Sequence, residues 1–411
     1  MNIENIKFSD LERKYWGIKL LKKDKEALLL FQQCLELKNK KLNCYQISKK
    51  LTLSKHTVAK WSRLESIPYA ARLCYYALDN PSHDCSWLSL NSTRGGIFTG
   101  PWIKVPNKIE SFNEILDVLK QLQPLPETQN LAKKFGIIKD VKNAKPLLFA
   151  YLLGIILGDA SKDKIIRVQR VTRRLQLRLT KFHSENENIG EFVSLCIKSL
   201  GLRINKGKDM RPGSHNKYPF YAWHSQSSAF LAWVFNVCLG LNNNEVTTYH
   251  KIRANWLIGT PEKFRIWFLQ GLADSDGYID FNSFRAGIVS QPNSELISKL
   301  LNSLKTKNST IVFKKKNIEA VVISIEDANK LPLFNSFVKS HRYNYMVKLA
   351  KAKKLEWHMS EDLENKIKNH MSSGLYGSAL IRKIIDEENI RVRPKALRRI
   401  KLKMESDKTV R

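Results

Sequence analysis

Two aspartates, Asp159 and Asp276, close apolar stretches of nearly the same pattern, LLGIILGDA (Leu152–Ala160) and LQGLADSDG (Leu269–Gly277). The run from Pro146 to Gly158 carries no charge at all. A carboxylate at the C-terminal end of a helix meets the negative end of the helix dipole and is repelled. One such helix is ordinarily a core helix with a solvated end, but two of them imply a compensating positive charge. Small residues recur four apart, Gly154 with Gly158 and Gly271 with Ser275. Residues four apart share one helix face, and a face without side chains lets two backbones approach closely. Packed along those faces, the helices bring their C-terminal ends and both aspartates together. Such a pair suits a hard divalent cation, Mg²⁺ with Mn²⁺ able to substitute. The helix-terminal carbonyls of Gly158 and Ser275 would complete an oxygen donor set. A cation there would activate water and stabilise the leaving oxygen of a phosphodiester.

The rest of the chain must position those ends and hold an anionic substrate. Among 411 residues, 70 are Lys or Arg and 38 are Asp or Glu, a net charge of +32. A surplus of this size destabilises a compact fold unless an anionic partner offsets it. The charge is spread along the chain rather than held in one tail, which favours nucleic acid over an anionic membrane face or acidic proteins. No apolar run reaches the ~20 residues that span a bilayer. The six cysteines form neither a C-x-x-C pair nor a zinc spacing. A reducing compartment follows: the cytoplasm with its nucleoid, or an organelle that encodes its own genes.

The middle of the chain repeats. Each apolar helix is followed by period-2 segments, a helix, further period-2 segments and a closing helix. The first unit spans 146–258 and the second 259–355. In RLQLRLT, Leu175, Leu177 and Leu179 share one strand face while Gln176, Arg178 and Thr180 share the other. KYPFYAWHS reads as a strand, and IGEFVSLCIKSLG as a helix stopped by Gly201. In the second unit Thr260 is the expected N-cap and Pro261 the first helical residue. RAGIVS, TIVFKKK and EAVVISI read as strands. SELISKLLNSLK and NKLPLFNSFVKS read as helices.

Residues 1–80 read as helical. Within 44–63 the pattern is that of a helix-turn-helix: a helix near Cys44–Leu51, a tight polar turn, and a second helix from about Ser54 to Arg63 capped by Ser54. Lys55, His56, Lys60 and Arg63 would face a major groove. Residues 81–145 read as a connector with a helix near Ser111–Leu122. Residues 356–411 are basic and helical, with a break near Glu388–Ile390 and a new helix from Pro394. They read as a second helix-turn-helix, its Arg398 and Arg399 directed at DNA, or as a basic tail that only neutralises phosphate.

The two nonapeptides resemble the LAGLIDADG motif of homing endonucleases in the single-chain form with two motifs, over Pro146 to Lys354. The resemblance implies an α+β fold, with tandem pseudo-twofold αββαββα repeats forming a saddle on the DNA major groove. All-α helix-turn-helix modules would flank it. It implies Asp159 and Asp276 as metal ligands, each helping to cut one strand, and double-strand breaks with 3′ overhangs at a long asymmetric site. Intron or intein mobility is the setting it implies. The family places a basic residue near each active site, for which Lys251 and Lys348 are the candidates; Gln169 and Gln291 are weaker candidates for positioning water. Arg167, Gln169, Gln176, Arg178, Arg285 and Lys314 would read bases or hold phosphates. With both halves in one chain, a monomer suffices. Ala160 stands where the motif usually has Gly, and Gln270 and Ala273 also depart from it; none removes a ligand. Two other roles fit the same resemblance: a DNA-binding transcriptional regulator without cleavage, and a maturase acting on intron RNA.

Overall fold

The computed structural model describes residues 7–15, 20–78, 85–92, 98–137, 141–162, 173–181, 183, 185–207, 219–242, 245, 250–313, 318–355 and 359–409. The expected contacts Arg167, Gln169 and Lys314 lie outside these residues, as do 163–172 and 208–218.

In the N-terminal part the described residues form α1 (Phe8–Lys14), α2 (Lys22–Asn39), α3 (Cys44–Leu51), α4 (Lys55–Ser62) and α5 (Tyr69–Leu78). A hairpin of β1 (Cys85–Ser92) and β2 (Phe98–Pro106) follows, then α6 (Phe112–Gln121) and α7 (Thr128–Lys134). The first repeat runs α8 (Val141–Leu157), β3 (Ala160–Lys162), β4 (Leu175–Thr180), α9 (Glu185–Ser199), β5 (Ile204–Lys206), β6 (Phe220–Ser225) and α10 (Ala229–Trp233), the last continued by a π-turn over Val234–Cys238. The second runs α11 (Glu262–Asp276), β7 (Gly277–Asp280), β8 (Arg285–Val289), α12 (Ser294–Ser303), β9 (Asn308–Phe313), β10 (Ile318–Ser324) and α13 (Ile325–Lys330). Then come α14 (Ser340–Lys351), β11 (Lys353–Lys354), α15 (Glu361–Ser372), α16 (Gly377–Glu388), β12 (Ile390–Arg391) and α17 (Pro394–Thr409).

Two four-stranded sheets share one strand order. The first is β3-β4-β6-β5 and the second β7-β8-β10-β9, with every neighbouring pair antiparallel. One face of each packs on helices. Leu175, Leu177, Leu179 and Trp223 of the first sheet, and Ala286, Ile288, Val321 and Ile323 of the second, belong to one hydrophobic core. That core also takes in α8, α11 and the buried sides of α15, α16 and α17. The C-terminal segment is therefore packed against the repeats. Arg391 is its anchor: its guanidinium meets Glu326 at 2.9 Å and donates to the Ala352 carbonyl at 3.0 Å, beside the parallel β11–β12 pair. The N-terminal helices hold a separate core around Phe31, Ile47, Val58 and Trp61.

Several boundaries differ from the sequence reading. The first apolar helix starts at Val141 rather than Pro146 and ends at Leu157, so Asp159 follows the helix by two residues. Its upstream turns are secured by buried Lys145, whose ammonium donates to the Leu119 and Leu122 carbonyls at 2.8 and 2.6 Å, at the end of α6. Pro261, not Thr260, occupies the cap of α11; the Thr260 hydroxyl turns back to the Leu257 carbonyl at 2.7 Å. NKLPLFNSFVKS is mostly turn, because α13 stops at Lys330 ahead of Pro332, whose ring cannot continue a helix. The connector 81–145 holds the β1–β2 hairpin, whose alternation of Leu88 with Leu90 and Ile103 with Val105 puts these side chains into the core. Among the described residues no helix is long and apolar enough to cross a membrane.

Candidate metal and DNA site at the paired helix ends

Helices α8 and α11 lie against each other along the small-residue faces. A Cβ added to Gly154 would stand 2.2 Å from the Phe268 carbonyl oxygen, and one added to Gly271 would stand 2.2 Å from that of Tyr151. Real side chains cannot occupy that space, so the close approach depends on glycine. Farther along, a Cβ on Gly158 would meet the Ser275 Oγ at 1.9 Å and the Asp276 Oδ2 at 3.1 Å. Gly158, Ser275 and both aspartates are thereby brought to one place, where the two helices end together.

The electrostatics of that place are unequal. Burial pushes the Asp276 carboxyl up to about 7, and Asp159 beside it acts in the same sense. Asp159 is open to solvent on one side, yet the protein crowded around its other sides still raises its carboxyl; Lys339 and Arg342 act against that rise. Two oxygen-rich groups held close, each disfavoured as an anion, are what a hard divalent cation relieves. The residues that could hold such a cation are Asp159 and Asp276, with the main-chain carbonyls of Gly158 and Ser275 at the same helix ends; oxygen donors of this kind suit Mg²⁺ or Mn²⁺. Among the described residues no group of three His, Cys, Asp or Glu gathers anywhere.

A third acid, Asp274, lies inside the second motif and is fully buried. It accepts from the Tyr151 hydroxyl at 2.9 Å and from the Asn335 amide at 3.2 Å. Burial pushes it up to about 8, against the pull of those two donors and of Lys339 and Arg342. Tyr151 belongs to α8, so Asp274 ties the second repeat to the first repeat's helix.

The cations beside the aspartates come from the segment around the start of α14. Lys339 is 4% exposed, and its ammonium reaches the Asn186 amide oxygen at 3.2 Å. Burial lowers its pKa, and Arg342 adds to this; Asp274, Glu185 and Asp159 offset part of the drop. Arg342 donates to the Gly277 carbonyl at 2.5 Å, just past Asp276. With Tyr278, His183 and Arg382 they line a polar recess of about 340 Å³.

The two expected lysines sit elsewhere. Lys251 is exposed and paired with Glu295 at 2.5 Å; Lys348 is exposed and paired with Asp386 of α16 at 2.6 Å. Neither is among the charges that act on Asp159 or Asp276. Gln291 begins a short turn after β8. Asp274 stands inside the motif, but its one-sided position in the second repeat marks no role until the fold pairs it with Tyr151. Lys339 and Arg342 gave no signal, because nothing in a basic sequence marks which lysine the fold will bury.

The sheet faces turned away from the core differ. On the first, Gln176, Arg178 and Thr180 alternate with the buried leucines of β4, and His224 and Asn205 stand beside Gln176 in register. With the Gln176 amide oxygen toward Arg178, the two side chains are 2.9 Å apart. On the second, Arg285 is exposed at the start of β8. In the N-terminal part, α3 and α4 fall where the sequence places them. Ser54 caps α4 through the Thr57 amide at 3.0 Å, and Thr52 makes the turn in the left-handed region with φ 52°. Lys55 and His56 are exposed, Lys60 is half-buried, and Arg63 is exposed beside Glu65 at 3.5 Å. Arg398 and Arg399 are exposed on α17.

No family model and no curated protein matches the chain. Solved structures do. A structure of mesophilic variants from the homing endonuclease I-DmoI aligns at 21% identity, covering 48% of this chain and 97% of that one, with a TM-score of 0.34. I-DmoI in complex with DNA and Mn aligns at 20% identity over 45% of this chain and 94% of that one, also with a TM-score of 0.34. Full-length DUF199/WhiA from Thermatoga maritima aligns at 12% identity, covering 60% of this chain and 72% of that one, with a TM-score of 0.34.

Proposed function

We propose that this chain is a site-specific, divalent-metal-dependent DNA endonuclease with both halves of its cleavage apparatus in one polypeptide. The observation that carries the reading is the meeting of Asp159 and Asp276 where α8 and α11 end, flanked by Lys339 and Arg342. In a protein that only binds DNA, a carboxylate raised by its neighbour is a cost without return. In a hydrolase it is the cation site.

In this reading Asp159, Asp276 and the carbonyls of Gly158 and Ser275 hold the metal. When bound, the metal supplies an activated water and charge stabilisation at the cleaved phosphodiester. Lys339, held by Asn186, and Arg342, held on the Gly277 carbonyl, present positive charge to the phosphate beside the carboxylates. Lys251 and Lys348 are then phosphate contacts rather than participants. The two sheets, related by a pseudo-twofold axis along α8 and α11, lie over successive stretches of the major groove. Gln176, Arg178 and Arg285 face the DNA, and the helical modules lengthen the footprint through Lys55, His56, Lys60, Arg63, Arg398 and Arg399. A single chain acts on an asymmetric duplex, with staggered 3′-overhang products.

The test is cleavage of a randomised double-stranded DNA library by the full chain with Mg²⁺ and with EDTA, beside Asp159→Asn and Asp276→Asn. Selected sites cut only with Mg²⁺, and a failed double-strand break in each variant, are the expected results. One specific observation favours a second reading, a DNA-binding regulator: the α3–α4 helix pair, joined by a turn at Thr52 and capped by Ser54, with Lys55 and His56 exposed. Site selection without cleavage by the wild type, and equal binding by both variants, would make that the better account.

A further inference from the structure

The outward faces of the two sheets carry different chemistry although their strand orders agree. On the first, Gln176, Arg178, Thr180, Asn205 and His224 offer hydrogen-bonding groups, with Ala222 and Phe220 opposite Arg178 and Thr180. On the second, Val289, Ala320 and Ile311 lie side by side across three strands. Next to them Phe313, on the outer strand β9, is 40% exposed. The Tyr278 ring crosses the sheet over Gly287, where a Cβ would stand 2.6 Å from it, and meets the Phe313 ring at 6.2 Å between centroids. Ala320 and Val322 are buried but belong to neither hydrophobic core. They form the floor of an apolar surface on the outward side. Polar groups border it: the Asp280 carboxylate accepts from the Asn282 amide and the Ser283 hydroxyl, Ser324 caps α13, and exposed Ser309 stands opposite Val322.

Cations border this apolar face. Arg285, Lys307, Arg393 and Lys395 line a cleft of about 780 Å³ where the end of the second sheet meets the C-terminal helices. A surface apolar in the middle and cationic at the margin complements a duplex groove, whose phosphates run along its rims. In the major groove the apolar feature a protein can touch is the C5-methyl of thymine, whereas Arg and Gln pair with guanine and adenine edges.

We infer that the two halves read DNA by different chemistry: the first by hydrogen bonds to bases, the second by apolar contact of Ile311, Phe313, Val289 and Tyr278 with thymine methyl groups. This rests on the reading of the chain as a site-specific DNA-binding enzyme. Strand β9 is farthest from β7, which follows Asp276 directly. The thymines met by Ile311 and Phe313 of β9 therefore lie toward the outer end of that half-site, away from the cut, and one met by Tyr278 of β7 lies nearer to it.

The experiment selects bound duplexes from a random library with the full chain in the absence of Mg²⁺. Thymidine is then replaced by deoxyuridine, one half-site at a time, which removes only the methyl group. In one half each contacted thymine should lose about fourfold in affinity, the worth of about one buried carbon; the other half should be indifferent. Ile311→Ser and Phe313→Ser, on the outward face and away from the core, should abolish the deoxyuridine effect. Arg178→Ala should alter base preference only in the other half. Selected sites whose affinity deoxyuridine leaves unchanged in both halves would overturn this inference and leave the endonuclease reading standing. A library from which no duplex is enriched would overturn both.

Discussion

The two repeats share element order, strand order and an aspartate at the helix end, yet they build different surroundings for it. Asp159, from the first repeat, lies near Lys339 and Arg342 of the second. Asp276, from the second, is acted on by burial and by Asp159, with no cation among its influences. The sixth motif position is Leu157 in one and Asp274 in the other; the leucine packs in the core, and the aspartate binds Tyr151 across the helix pair. The outward sheet faces diverge as well, one hydrogen-bonding and one apolar. Duplication fixes the backbone plan, because the helix pair needs matching small faces on both sides. It leaves free the side chains that do not touch that contact, so one motif written twice gives two unlike surroundings.

The largest effect that could break this comparison is kinetic. Lys339→Met should slow cutting of one strand about a hundredfold, the lower end of what a positioned basic group contributes, and leave the other strand nearly untouched. Nicked plasmid would then accumulate from supercoiled substrate; equal slowing of both strands would mean that the cations serve both aspartates alike. Next come the helix contacts. Gly154→Val and Gly271→Val each drive a side chain into backbone and should cost roughly 3 kcal/mol by denaturant unfolding, the upper part of the overpacking range. Gly158→Ala presses chiefly on the Ser275 side chain, which can turn aside, and should cost less. If all three cost the same, the contact is not as graded as the geometry makes it.

Converting the second motif toward the first is a smaller change. Asp274→Leu leaves the Tyr151 hydroxyl and the Asn335 amide without their acceptor and should destabilise by about 1–3 kcal/mol. A neutral result would make the two motifs interchangeable at this position. The smallest effect is on pH. The folded-state pKa of Asp274 is raised from the ordinary aspartate value of 3.8 to about 8. The folded state therefore holds a proton that the unfolded state has released between those values, and the associated stability is lost as pH rises through the folded pKa. The melting temperature of the wild type should fall relative to that of Asp274→Asn between pH 5 and pH 9. A constant difference would mean that the carboxyl is already ionised at pH 5.

Much of the plan was readable along the chain because its causes are local. The alternation of Leu175, Leu177 and Leu179 with Gln176, Arg178 and Thr180 reads as a strand with its leucine face in the core; the fold buries Gln176 on the other face as well. Ser54 ahead of an apolar-periodic segment marks a helix start, and Gly201, at φ 76°, marks a stop. The hairpin at 85–106 carried the same period-2 signal and was obscured by the Gly and Pro around it. The start of α8 was misplaced because Pro146 looks like a first helical residue, whereas the helix accommodates it near its beginning.

The pairing of the two helices is written in the chain. Gly154 and Gly271 are the residues that let backbones touch, and their spacing from Asp159 and Asp276 carries both carboxylates to one place whatever surrounds them. Which cation faces those carboxylates is set by the fold. Lys251 and Lys348 were as plausible as Lys339 along the chain, since each is a lysine among many and a lysine's reach is indifferent to sequence distance. The choice was made by burial: the turn after α13 carries Lys339 under the helix ends, where Asn186 accepts from its ammonium. Lys251 and Lys348 stay at the surface with Glu295 and Asp386.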